Sequence, residues 1–253
     1  MDHDKDASYH DSVAAEYDRV VVEPREAALR RLFAPALKRL ARHAPFARLF
    51  DIGCGTGQML LRAGPLAREA VAVDHSAGML AVARANAARA GLSHARFEQA
   101  DLRAFLDAHR GEADLVTAVG VLHHHDAHAL PALLGSLHAS LRPGGWLLLS
   151  EPVADGAVVE PEPIRRWNRA SLAAARDYSA PGPEPDEAPL PPSALRRAIA
   201  DAGFAMQGEW RAWEIYNHTP EPGLLERLRI GWLQRRHGAS GFVYACLARR
   251  PVE

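Results

Sequence analysis

Leu49-Phe50-Asp51-Ile52-Gly53-Cys54-Gly55-Thr56-Gly57 decides the architecture of this 253-residue chain. An apolar strand runs directly into a glycine-rich turn, and Gln58-Met59-Leu60-Leu61 then starts a helix. Glycine is required where backbone bends tightly or approaches a ligand closely. The turn presents amide N–H groups at a helix N-terminus, a setting that favours a negative group. In the dinucleotide fingerprint the glycines run G-x-G-x-x-G. Here the third glycine arrives one residue early, at Gly57, and position 58 is Gln58. Asp51 lies two residues before the first glycine, where a carboxylate can accept hydrogen bonds from an ammonium or from backbone amides.

Two more acids follow in step. Ala72-Val73-Asp74-His75-Ser76 ends the next apolar run, with Asp74 21 residues beyond Gly53. A carboxylate at that strand end can accept both ribose hydroxyl protons of a nucleoside. Glu98-Gln99-Ala100-Asp101-Leu102 ends the third run. Asp101 can accept from an adenine amino group or N-cap the helix that follows, and the two roles are compatible. Leu102 can pack on the ring.

Around these motifs apolar runs alternate with helix-period segments. Strands are predicted near 47–52, 69–74, 94–99, 113–119 and 145–150, and helices near 57–66, 77–90, 102–109 and 127–141. That alternation implies βαβ units. The fold class is α/β: a Rossmann-like doubly wound, mostly parallel seven-stranded sheet with helices on both faces and an N-terminal helical cover. Four regions are expected. Residues 1–45 form cover helices, with Tyr9, Val13 and Tyr17 on one face and Leu29, Leu32, Phe33, Ala36, Leu37 and Leu40 on a second stripe. Residues 46–151 form the cofactor-binding core. Residues 152–192 hold a helix near 162–177 and a lid or solvated loop, because six prolines between Pro181 and Pro192 forbid a helix. Residues 193–253 complete the sheet with strands at 204–216 and 241–248. Ser193 reads as an N-cap, and a helical excursion at 217–239 carries Leu225, Leu228 and Trp232 on one side.

With these pieces in order, the chain resembles the class I S-adenosylmethionine (SAM)-dependent methyltransferases, small-molecule type. The resemblance rests on DIGCGTG at 51–57, VDHS at 73–76, the Ala100-Asp101-Leu102 step, DLVTAVGVLHHHD at 114–126 and LRPGGWLLLSEP at 141–152. It covers about residues 9–151. It implies a cofactor, SAM, converted to S-adenosylhomocysteine. Asp51, Gly53, Cys54, Gly55 and Gly57 would hold the methionine part. Asp74 would hold the ribose, with His75 and Met79 bordering the adenine and Asp101 and Leu102 at its edge. Val119 would lie under the sulfonium, and Tyr9 or Tyr17 would close the pocket, an aromatic face being favourable beside a cation. His124 and then Glu151 are the candidate bases, since both fall at strand ends where α/β ligands bind.

Blander readings stand beside these. Tyr9 and Tyr17 suit ordinary core packing, and Cys54 suits a packed small residue. His123, His124, His125 and His128 invite a metal assignment, but neighbours on extended chain face opposite ways, so no metal is expected. Asp126 reads as an N-cap. Arg235, Arg236 and His237 suit a helix C-terminus. Lys plus Arg is 30 against 31 for Asp plus Glu, with no global basic field for nucleic acid. The expected partner is a small-molecule acceptor, without nucleic acid or membrane, and a homodimer contact through 217–239 stays open. Cys54 and Cys246 make no disulfide framework, the N-terminus lacks an apolar secretion core, and no apolar run reaches membrane-span length, which suits the cytoplasm. Two other functions remain alternatives: a SAM-binding protein without methyl transfer, and a nicotinamide oxidoreductase, which the glycine spacing disfavours.

Overall fold

The computed structural model describes residues 3–125, 128–154, 159–174 and 189–252. Strands β1 (Phe46–Ile52), β2 (Ala67–Asp74), β3 (Ala95–Gln99), β4 (Ala113–Val119), β5 (Leu141–Pro152), β6 (Ala205–Ala212) and β7 (Val243–Arg249) form one sheet ordered β3-β2-β1-β4-β5-β7-β6. The first five are parallel, and β7 runs antiparallel to both β5 and β6. The strand order reverses between β1 and β4, so a crevice opens beyond their C-terminal ends. Helices are α1 (His3–Tyr17), α2 (Glu26–Leu40), α3 (Gln58–Ala63), α4 (Ala77–Arg89), α5 (Leu102–Ala108), α6 (Leu130–Ser140), α7 (Glu162–Ala174), α8 (Pro192–Asp201) and α9 (Leu224–His237).

Period-two alternation divides the core into two layers. Leu49, Leu115 and Leu148 face α2, α3 and α4, while Phe50, Val116 and Leu147 face α5, α6 and α8. Each fully buried Leu contributes about 1.5–3 kcal/mol of transfer free energy. A third cluster, with Ala28, Ile164, Trp213, Ile230 and Leu233, joins α2, α7 and α9. Among the described residues no helix is long and apolar enough to cross a membrane.

The central strands fall where their apolar runs predict, and the edges depart for local reasons. β5 starts at Leu141, through Pro143-Gly144-Gly145, because Leu141 pairs with Ala113 across a register shift. β6 stops at Ala212 rather than 216; beyond it the chain is held by side chains, with Trp213 N donating to Gln234 Oε1 and Tyr216 N to Asn168 Oδ1. Ser193 is not an N-cap. Pro191 takes that position and Pro192 the first helical one, where a missing N–H costs nothing. On α9 the predicted face of Leu225, Leu228 and Trp232 points to solvent, and Ile230 and Leu233 supply the buried side. The Asp126 cap and most of the proline-rich stretch, 181–188, lie outside the described residues.

Gly53 marks where the fold tolerates no side chain. Its φ is +62°, and a Cβ there would come 2.5 Å from Val121 Cγ2. Gly53→Ala combines left-handed strain with overpacking, each about 1–3 kcal/mol. A lowered urea midpoint with unchanged slope is the expected result.

Candidate cofactor and acceptor site

A cavity of about 720 Å³ opens at the switch point, within the range of small-molecule sites. Asp51, Gly53, Cys54, Gly55, Asp74, His75, Met79, Asp101, Leu102 and Val119 all line it, so most of the residues singled out in the sequence converge.

Asp51 is buried at the end of β1. The Thr117 hydroxyl donates to its Oδ1 at 2.6 Å, while Oδ2 has no hydrogen-bond partner. Burial pushes this carboxyl up to about 7; the Thr117 hydroxyl and, more weakly, the Leu60 amide pull the other way, and the Asp74 charge adds to the rise. An orphaned carboxylate oxygen on a cavity wall calls for a cationic hydrogen-bond donor.

Asp74 braces the glycine turn. Its Oδ2 accepts from Gly55 N at 2.8 Å and its Oδ1 from Ser76 N at 2.9 Å. A carboxylate offers about four lone-pair sites, so acceptors remain for a diol. Asp101 N-caps α5, accepting from Ala104 N at 2.8 Å, and its carboxylate stays exposed at the cavity rim. Capping therefore leaves Oδ2 for a ligand edge.

Two of the expected residues stand apart. Gly57 does not line the cavity; its φ of +82° turns the chain into α3, and a Cβ would press on Ala83 at 3.3 Å. Tyr9 also lies off the cavity, where Tyr17 and His10 are present instead. Tyr9 packs edge-on against His10, ring centroids 5.4 Å apart.

The cover helix is latched by two acids, Asp11 near its middle and Asp18 just beyond its C-terminus. Asp11 Oδ1 accepts from the Ser76 hydroxyl at 2.5 Å and from Gly78 N at 2.8 Å. The Ser76 and Gly78 bonds hold its carboxyl below the usual range. Asp18 accepts from the Thr56 hydroxyl at 2.5 Å, Gln58 Nε2 at 3.0 Å and Asn86 Nδ2 at 2.7 Å. No local signal in the sequence separates these two acids from other acids on a helix face. Asp18→Ala should loosen this end of the cover, each bond to a charged group contributing about 1.5–3 kcal/mol. Hydrogen exchange should quicken across α1 and stay unchanged in β1 and β4.

Beyond the glycine turn the cavity becomes apolar, lined by Leu29, Phe33, Trp213, Phe242 and Val243. An ion pair enters this half: Arg25 Nη1 lies 3.3 Å from Glu214 Oε1, with the guanidinium over the Tyr216 ring. The turn after β4 brings His123, His124 and His125 to the wall. His124 contacts the His10 ring at 5.5 Å and the His123 ring at 4.0 Å between centroids. Both oxygens of Glu151 are taken up by that same turn, which suits a positioning group better than a proton acceptor. Among the described residues no cluster of three His, Cys, Asp or Glu could hold a metal.

The sheet order, the glycine turn and the three acids at successive strand ends define the class I, Rossmann-like SAM-dependent methyltransferases. Residues 49–145 match the family model described as methyltransferase domain. The trans-aconitate 2-methyltransferase of Deinococcus radiodurans is 36% identical over 123 residues, covering 47% of this chain and 44% of that protein. The 23S rRNA (uracil(1939)-C(5))-methyltransferase RlmD of Xanthomonas euvesicatoria is 43% identical over 58 residues, covering 23% of this chain and 13% of that protein. The matches thus span less than half the length of these curated relatives. In fold, the DhpI–SAH complex aligns with a TM-score of 0.62 at 20% identity, covering 100% of this chain and 99% of that one.

Proposed function

We propose that the protein transfers the methyl group of SAM to a small-molecule acceptor. The observation that carries this is one continuous cavity with two chemistries: three carboxylates and a glycine turn at one end, an apolar chamber at the other. The orphaned Asp51 Oδ2 fits the ammonium of the methionine moiety, and Asp74 fits the ribose diol. Asp101 and Leu102 fit the adenine edge. SAM supplies an activated methyl group when bound. The chain's own residues align the acceptor against it and exclude water, with proximity the main lever. The latched α1 closes the cavity from above, and Trp213 and Phe242 give the acceptor an apolar bed.

A small acceptor is favoured over RNA by the near-neutral chain, at 30 basic against 31 acidic residues, and by the apolar lining of the second half of the cavity. The RlmD likeness is confined to 58 residues. Purified protein incubated with radiolabelled SAM and an acceptor panel should release S-adenosylhomocysteine in step with labelled product. Tight SAM binding with no transfer across phenols, amines, carboxylates and RNA would favour the non-methylating alternative.

A further inference from the structure

Glu151, at the end of β5, aims its carboxylate into the turn after β4. Its Oε1 accepts from Val121 N and Leu122 N, each at 2.9 Å. Its Oε2 accepts from His123 N at 3.3 Å and lies 2.8 Å from His123 Nδ1. Both side chains are buried, Glu151 at 3% and His123 at 7% exposure. A carboxylate ringed by amide donors acts as an acceptor, so it selects the imidazole tautomer with the proton on Nδ1. The lone pair then sits on Nε2. Among the described residues the one side-chain hydrogen bond of His123 is at Nδ1, and His123 lines the cavity. Its ring lies beside the turn that follows β4: a Cβ on Gly120 would be 3.7 Å from His123 Cε1.

We infer that His123 takes the proton from the attacking atom of the acceptor and that Glu151 is its positioning residue. This rests on the methyl-transfer reading above. The acceptor atom gives its proton to Nε2, bonds the methyl carbon and displaces the thioether, which keeps the C–S electron pair. The imidazolium then returns its proton to water. Such a base is useful only when the attacking atom carries a proton. The substrate class is therefore a hydroxyl, phenol or amine N–H compound with an apolar body, and not a fully ionised carboxylate such as trans-aconitate. His124, packed between His10 and His123, belongs to the wall.

The test pairs two probes, catechol and trans-aconitate, each with SAM, and counts S-adenosylhomocysteine. Turnover is expected with catechol alone. His123→Ala should lower kcat by about 10²–10³-fold, a typical share for general-base catalysis, and added imidazole should restore part of it. Glu151→Gln should lower kcat more than it alters KM and should displace the acid limb of the pH profile. A second readout needs no turnover: nitrogen-15 spectra of the imidazoles should show His123 with its proton on Nδ1, a signature lost in Glu151→Gln. Turnover of trans-aconitate indifferent to His123→Ala, or a proton on Nε2, overturns the assignment. If neither probe reacts, the tautomer decides alone. Calorimetry with S-adenosylhomocysteine separates the two levels: no binding to the wild type sinks the methyltransferase reading, while binding with the wrong tautomer sinks only the role of His123.

Discussion

Asp51→Asn is expected to weaken SAM binding by about 10²-fold, and to do so in a pH-dependent way. The wild-type carboxylate has one oxygen held by Thr117 and one without a partner. Replacing a charge-assisted hydrogen bond to the ligand ammonium with a neutral amide removes about 1.5–3 kcal/mol. The pH term follows from linkage. Burial sets the carboxyl at about 7 in the free protein, against about 3.9 in the unfolded chain. The folded state therefore holds a proton that the unfolded state has lost, and the stability of the free protein declines as pH rises from about 4 to about 7, then levels. A bound cation selects the ionised form, so binding below pH 7 must expel that proton. SAM affinity should therefore drop as pH falls from about 7 to about 5.5, a window in which an α-amino group, near 7.7–8.0, stays charged. Titration calorimetry in buffers of different ionisation enthalpy would register the released proton. In Asp51→Asn both the slope and the proton release should vanish; a slope that survives would assign the proton to another group.

The second large effect is structural and lies in the acceptor half. A Cβ on Gly241 would stand 1.9 Å from the Ala212 carbonyl oxygen and 2.1 Å from its carbon, both rigid backbone atoms. Gly241 precedes β7 and Ala212 ends β6, so the clash can be relieved only by parting two antiparallel strands. Gly241→Ala should cost about 3–5 kcal/mol, above the usual range for overpacking because no flexible side chain can give way. For a chain of this size each kcal/mol moves the thermal midpoint by about 2–4 °C. Ala212, Trp213, Phe242 and Val243 flank the site and line the cavity, so acceptor binding should suffer as well. A variant as stable as the wild type would show that the β6–β7 junction is looser than its geometry implies.

The sheet was legible because buried parallel strands read as short continuous apolar runs, and 46–52 and 113–119 are such runs. The three acids that line the cavity were legible for a related reason: each lies at or just after a strand end, and strand termini are readable. What escaped notice depends on contacts distant in sequence. Asp11 and Asp18 resemble any exposed helical acids until α4 and the glycine turn arrive beneath them. Arg25 meets Glu214 across 189 positions, and no local pattern announces that encounter. Among three adjacent histidines, only the carboxylate from β5 distinguishes His123. A strand end tells where the Glu151 side chain lies but not that both its oxygens are already bonded to the turn after β4. At the start of α8 Ser193 is a strong capping type, but Pro191-Pro192 sets the helix start by fixing φ.

The central claim, that Asp51, Asp74 and Asp101 surround one adenosyl sulfur compound, is tested most directly by titrating the folded protein with S-adenosylhomocysteine at pH 7.5 in a calorimeter. One site per chain with saturable heat, abolished by Asp74→Ala, is the predicted outcome. A flat thermogram from protein whose circular dichroism confirms the native α/β fold would contradict it.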